Sequence, residues 1–160
     1  MSPRTALFPG TFDPVTFGHL DLMRRGARLF DRLLVCVAPD GRDGWLDRQT
    51  RVDLIEPLLE REGLENVKVV PFDGLLVDVA RKHDAVALLR GVRTVRDFEY
   101  ELEMAVANRQ LHEGLETLFL APSPTSALVS SSLVREVFSL GGDVSAWVPE
   151  GVVQALRKGW

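Results

Sequence analysis

Apolar runs without alternation constrain this chain more than any other feature. Leu33-Leu34-Val35-Cys36-Val37 presents no polar face at all. A strand holds such a run only when both of its faces are covered, as in a parallel sheet between helical layers. Comparable runs alternate along the chain with segments of helical period. Strands are predicted at about 5–8, 32–38, 67–71, 86–90 and 117–121, and helices at about 18–30, 48–62, 75–83 and 95–112. Two short helices follow, near Ser131–Leu140 and Pro149–Lys158, with Pro149 suited to a first helical turn. The β-α-β-α order predicts an α/β, dinucleotide-binding-like (Rossmann-like) fold. Its five-stranded parallel sheet would have right-handed crossovers and helices on both faces.

The 160 residues make one domain's worth of chain, 1–160, without internal repeat, low-complexity segment or linker. Hydrophobic residues at 46% and charged residues at 26% give the profile of a soluble globular protein. A net charge of -4 argues against general nucleic-acid binding, although it leaves room for a locally basic phosphate pocket. Cys36 is the sole cysteine, so no intrachain disulfide forms, and its apolar run marks it as a small buried hydrophobe. One cysteine and three scattered histidines make no zinc constellation. No metal-ligating residues are assigned. Met1-Ser2-Pro3-Arg4-Thr5 leads straight into a strand, and no run approaches membrane-spanning length. The expectation is a cytoplasmic protein without membrane or nucleic-acid partners.

Three clusters carry chemistry. The first is Phe8-Pro9-Gly10-Thr11-Phe12-Asp13-Pro14-Val15-Thr16-Phe17-Gly18-His19, between an apolar strand and a helix with the stripe Leu20, Met23, Ala27, Phe30. Gly10 and Gly18 would let the backbone approach phosphate and take torsions that other residues resist. Thr11 and Thr16 offer hydroxyls. His19 enters the first helical turn, where free amides and the dipole favour an anion. This end of the helix faces the carboxyl edge of the sheet, where ligands of open α/β folds collect.

The second cluster runs from Leu89 to Glu101. Arg90 and Arg93 flank Gly91 at a strand end, where planar, permanently charged donors suit phosphate oxygens. Arg96 reads instead as surface charge paired with nearby carboxylates. Val95, Phe98, Leu102, Ala105 and Val106 read as a packing stripe, and Tyr100 as packing or interface. The third cluster is Ser130-Ser131-Ser132-Leu133-Val134-Arg135-Glu136. Alone, three serines are a helix cap; after a strand and loop at the ligand edge they could form a second phosphate cradle. The clusters contain no carboxylate pair and no nucleophile with an adjacent base. Hydroxyls, arginines, a histidine and helix N-termini suit charge stabilisation during phosphoryl-type transfer.

Thr16-Phe17-Gly18-His19 resembles the T-x-G-H motif of nucleotidylyltransferases, itself related to the HIGH motif of class I aminoacyl-tRNA synthetases. The triple serine resembles I-S-S-S-L-V-K-E, and Arg90-Gly91-Val92-Arg93 through Phe98-Glu99-Tyr100-Glu101 resembles R-G-L-R…D-[FY]-E-Y-E. Phe72-Asp73-Gly74-Leu75-Leu76-Val77-Asp78 resembles F-x-G-L-L-V-D. In this order the motifs are similar to those of the bacterial phosphopantetheine adenylyltransferase family, across nearly the whole chain.

The resemblance implies in-line attack of 4′-phosphopantetheine on the α-phosphorus of ATP, with Mg²⁺, giving dephospho-CoA and pyrophosphate. By motif position, Thr11 would hold the attacking phosphate and His19 would stabilise the transferring one. Arg90 would bind acceptor or transferring phosphate, and Leu76 the pantetheine arm. Thr11, Phe12, His19, Gly91, Val92, Arg93 and Glu101 would line the ATP site, together with Ser126, Ala127, Leu128, Val129, Ser130, Ser131 and Ser132. Phe12 would also touch the acceptor. A homohexamer and feedback binding of CoA are implied too.

Three positions depart from the family pattern. Phe17 stands for Asn, and Ser126 for an aromatic residue. The loop Pro39-Asp40-Gly41-Arg42-Asp43-Gly44-Trp45-Leu46 carries no Lys where the family has a catalytic one. Arg42, four residues before Leu46, is expected to take that place in catalysis and substrate binding, with a larger, planar head. Two alternatives stand beside this reading: the same chemistry on another phosphate acceptor, and a nucleotide- or CoA-binding paralogue without turnover.

Overall fold

The computed structural model describes residues 3–125, 127 and 129–159. Five strands, β1 (Thr5–Gly10), β2 (Arg32–Val37), β3 (Val67–Pro71), β4 (Ala85–Gly91) and β5 (Glu116–Leu120), form one sheet in the order β3-β2-β1-β4-β5. All four pairings are parallel. The helices are α1 (Phe17–Leu29), α2 (Arg48–Arg61), α3 (Leu76–Lys82), α4 (Val95–Leu111), α5 (Ser131–Ser139) and α6 (Glu150–Lys158). Every predicted element is present within a few residues of its expected bounds. Pro149 stands at the N-cap of α6 rather than inside its first turn.

The unalternating runs behave as two-faced strands. Ala6 and Phe8 of β1, with Leu33, Val35 and Val37 of β2, join a large core with α1, α2, α5 and α6. Leu7, Leu34 and Cys36, interleaved with them, point to the opposite face, where Val77, Val79 and Ala80 of α3 close a smaller core. Burial pushes the Cys36 thiol up to about 12, which leaves it inert as a nucleophile.

Helix α1 lies deep against the sheet at two glycines. A methyl on Gly26 would fall 2.8 Å from Cδ2 of both Leu33 and Leu89. One on Gly91 would fall 2.5 Å from Leu22 Cδ1. The predicted packing stripe of α4 packs within the chain chiefly through Phe98, whose ring stands edge-on to Phe119 of β5 with centroids 5.3 Å apart. Val95, Phe98, Leu102 and Val106 are exposed, and among the described residues only Glu101 of this helix is buried. The periodicity was real, but among the described residues most of the stripe has nothing over it.

Candidate active site

The carboxyl ends of β1 and β4, with the N-termini of α1, α4 and α5, enclose a cleft of about 780 Å³. Thr11, Phe12, His19, Arg90, Gly91, Arg93, Glu101, Val129, Ser130, Ser131 and Ser132 all line it, so the three sequence clusters converge. Phe72, Arg96, Asp97 and Tyr100 line it as well. Arg96 and Tyr100 therefore belong to the cleft wall, against the surface and packing roles expected for them.

His19 owes its state to a capping box. Thr16 is the N-cap of α1; its hydroxyl accepts the His19 amide at 3.3 Å, and His19 Nδ1 accepts the Thr16 amide at 3.0 Å. A backbone N–H can only donate, so Nδ1 carries no proton and the neutral ring places its proton on Nε2. Burial, then the charges of Arg93 and Arg90, lower the ring to about 4. At neutral pH His19 is thus a hydrogen-bond donor without formal charge.

The backbone of the first turn departs from the expectation placed on its glycines. The left-handed residue is Phe12, at φ 52°, and neither Gly10 nor Gly18 has a positive φ. Gly10 serves close approach: a methyl there would sit 3.0 Å from the Phe12 ring. That ring is buried and stands edge-on to His19, centroids 5.0 Å apart. Phe12 thus supports His19 from beneath. Phe17 lies outside the cleft lining; its amide donates to the Trp147 carbonyl at 2.9 Å, giving Trp147 an anchoring role that sequence reading missed.

The arginines are held by carboxylates. Arg90 Nε donates to Glu101 Oε2 at 2.7 Å, a second short contact joins its NH2 to Oε1, and NH1 donates to the Pro9 carbonyl at 2.6 Å. Glu101 orients Arg90 through this two-pronged fork. Arg93 pairs with Asp97 at 3.3 Å and donates to the Val129 carbonyl at 3.1 Å. Arg96 has no ion pair among the described residues. On the third wall, Ser130 caps α5 by accepting the Leu133 amide at 3.0 Å. The Ser131 hydroxyl donates to the Pro14 carbonyl at 2.8 Å, tying the serine helix to the first turn.

Arg42 lies apart from the main cleft. It is exposed in the β2–α2 loop and lines a smaller pocket of about 250 Å³ that shares Thr11 with the cleft. Leu76 packs against the smaller core and Val92 lies beyond the cleft lining; Phe72 occupies the cleft wall on the α3 side. Ala127 is half-buried, and Ser126 and Leu128 fall outside the described residues. Sequence reading missed Asp13 and Arg51, both buried beneath the site. A signal for Arg51 existed: it shares the helical phase of Ile55 and Leu58 on the buried side of α2. Among the described residues no three His, Cys, Asp or Glu side chains gather as metal ligands. No helix there is long and apolar enough to cross a membrane.

Known proteins resemble this chain in fold and in sequence. Two solved structures resemble the chain at low identity. One, described as a nicotinate-nucleotide adenylyltransferase from Vibrio parahaemolyticus, has a TM-score of 0.74 at 17% identity, covering 98% of this chain and 93% of that one. The other, the lipopolysaccharide core biosynthesis protein of Thermoplasma volcanium GSS1, has a TM-score of 0.56 at 20% identity, covering 76% and 98%. Both speak for the fold alone. The cytidylyltransferase-like family model matches residues 7–137. The phosphopantetheine adenylyltransferase of Stenotrophomonas maltophilia is 49% identical over 156 residues, 97% of this chain and 91% of the relative. That of Caldanaerobacter subterraneus subsp. tengcongensis is 44% identical, over 97% and 96%. With its motifs gathered at one sheet edge and this identity along nearly its whole length, the chain belongs to the phosphopantetheine adenylyltransferase family of cytidylyltransferase-like proteins.

Proposed function

We propose that the protein transfers the adenylyl group of ATP to 4′-phosphopantetheine, giving dephospho-CoA and pyrophosphate in coenzyme A synthesis. An oxygen of the acceptor's phosphate bonds to the α-phosphorus, and the bond from that phosphorus to the bridging oxygen of pyrophosphate breaks. A phosphate monoester loses its second proton near pH 6, so the nucleophile arrives deprotonated and requires no base. The observation that carries the reading is the locked tautomer of His19, whose Nε2–H is a neutral donor in a cleft with three arginines. Such a donor strengthens its bond as charge builds on the transferring phosphate.

The remaining roles follow position. Thr11 lies where the main cleft meets the Arg42 pocket, and there its hydroxyl holds the attacking phosphate. Arg90, aimed by Glu101, neutralises the acceptor or transferring group, and Arg42 supplies the cation that a Lys provides elsewhere in the family. Arg93 and the amides at the start of α5 receive the remaining ATP phosphates, and Phe72 faces the pantetheine arm alongside Leu76. Asp97 and Glu101 are both committed to arginines, so a Mg²⁺ bound with the nucleotide would be held by phosphate oxygens and water. The chemistry it would supply is to offset charge on the leaving pyrophosphate. A homohexamer, CoA feedback and a cytoplasmic setting belong to the same reading; the exposed apolar face of α4 supports the first.

The test is pyrophosphate release from Mg-ATP and 4′-phosphopantetheine, beside His19→Ala and alternative phosphate acceptors. Release with phosphopantetheine, lost in the variant, is the expected result. Release with another acceptor alone would replace the substrate. ATP binding without release from any acceptor would leave a non-catalytic binding protein.

A further inference from the structure

We infer that Asp13 and Arg51 are positioning residues that clamp the 38–47 loop, and with it Arg42, against Thr11. The loop joins β2 to α2, and its tip from Pro39 to Gly44 is largely exposed. Two buried charged groups grip it from below. Asp13 is 5% exposed, and its carboxylate accepts the Trp45 amide at 2.7 Å and the Leu46 amide at 3.0 Å, one on each oxygen. Arg51 is 2% exposed and reaches both ends of the loop. Its Nε donates to the Leu46 carbonyl at 3.1 Å, NH1 to the Ala38 carbonyl at 3.0 Å, and NH2 to Asp40 Oδ1 at 2.6 Å.

The decisive contact is the fourth. Arg51 NH1 also donates to the carbonyl of Thr11 at 2.7 Å. One guanidinium therefore ties the first residue of the loop, its penultimate residue and the backbone of Thr11 into one rigid unit. Asp13, two residues past Thr11, closes the same ring from the other side. Arg135 steadies Asp13 in turn, donating to its carbonyl and standing 3.8 Å from its carboxylate. A fully buried arginine is tolerated only when its donors are met by acceptors, and here four loop and turn oxygens meet them. Neither residue needs to touch substrate. Their effect is to make the distance between Arg42 and Thr11 a property of the fold, and tight placement of a cation is worth orders of magnitude in rate.

This inference rests on Arg42 acting in the reaction, and a double-mutant cycle separates the two. Asp13→Asn keeps the shape but offers one acceptor and one donor group where two amides donate. With ATP and phosphopantetheine, Asp13→Asn is expected to lower kcat about tenfold, and to lower it less than about twofold further in an Arg42→Ala background. Thermal melting identifies the folded variants. Arg51→Lys, which keeps the buried cation but cannot span four acceptors, is read in the same cycle should Asp13→Asn not fold. Wild-type kcat in a folded clamp variant overturns the inference. So do equal losses with and without Arg42, for then the clamp works through something else. Arg42→Ala at the wild-type rate removes the role of Arg42 itself, and the clamp's purpose with it.

Discussion

Helices α1 and α4 both begin at the cleft, yet the chain completes only one of them. Helix α1 is buried along one side by Leu20, Leu22, Met23 and Gly26, and its N-terminus is closed by its own capping box. Helix α4 has an apolar stripe of similar length, and almost all of it faces solvent. Its one buried side chain is Glu101, the carboxylate that aims Arg90. The histidine wall is thus fixed by the packing of a single chain. The arginine wall hangs on two ion pairs, Arg90 with Glu101 and Arg93 with Asp97, beside a helix whose apolar face is largely exposed. Rigidity at the first wall is intrinsic; at the second it is open to whatever covers α4.

The sharpest way to break the comparison is His19→Ala, which removes the neutral donor while leaving the underside of α1 packed. It is expected to lower kcat by about 10²–10³, the range for loss of one transition-state donor, with ATP binding retained by calorimetry. Glu101→Gln attacks the other wall. It is expected to lower kcat/KM by about tenfold and stability by about 2 kcal/mol, less than a fully buried pair because Arg90 is partly open to solvent. Chemical denaturation and steady-state kinetics check the two parts. Wild-type kinetics in that variant would mean that Arg90 is aimed by something other than the fork.

Leu102→Glu tests whether a second copy covers α4. The residue is 45% exposed, so the fold of the single chain is expected to survive while the proposed homohexamer dissociates in sedimentation. The smallest effect is in pH dependence. His19 has a folded value of about 4, against about 6.5 for an unfolded histidine. Between those values the unfolded chain binds a proton that the folded one refuses. Stability from this group is therefore complete above about pH 6.5 and falls as pH drops toward 4. Melting temperatures across that window should decline less steeply in His19→Ala. At pH 7, long-range nitrogen-proton spectra of the ring should show Nε2 protonated and Nδ1 bare.

Much of this is legible in the sequence. Runs such as Leu33 to Val37 can be satisfied only between two layers, so the parallel sheet followed from them, and turns after its strands necessarily open on one edge. What stayed hidden has two physical causes. The stripe of α4 has the letters of a packed helix, and periodicity says which side is apolar without saying what lies against it. Asp13 and Arg51 bind backbone amides and carbonyls, and a backbone partner leaves no letter in the sequence. The tautomer of His19 is of the same kind, fixed by the Thr16 amide. The misplaced expectation about Gly10 and Gly18 came from assigning to glycine a left-handed turn that Phe12 adopts.

The pairing of Arg90 with Glu101 and of Arg93 with Asp97 has a consequence for how a polyanion enters. Before it arrives, two of the cleft's cations are already neutralised, and only Arg96 lacks a counterion among the described residues. The cleft therefore works as an ion exchanger more than as a magnet. A phosphate group gains its arginine by competing with a carboxylate held in place, so short-range geometry outweighs long-range attraction. Binding of the nucleotide should then weaken with added salt less steeply than a count of the arginines suggests.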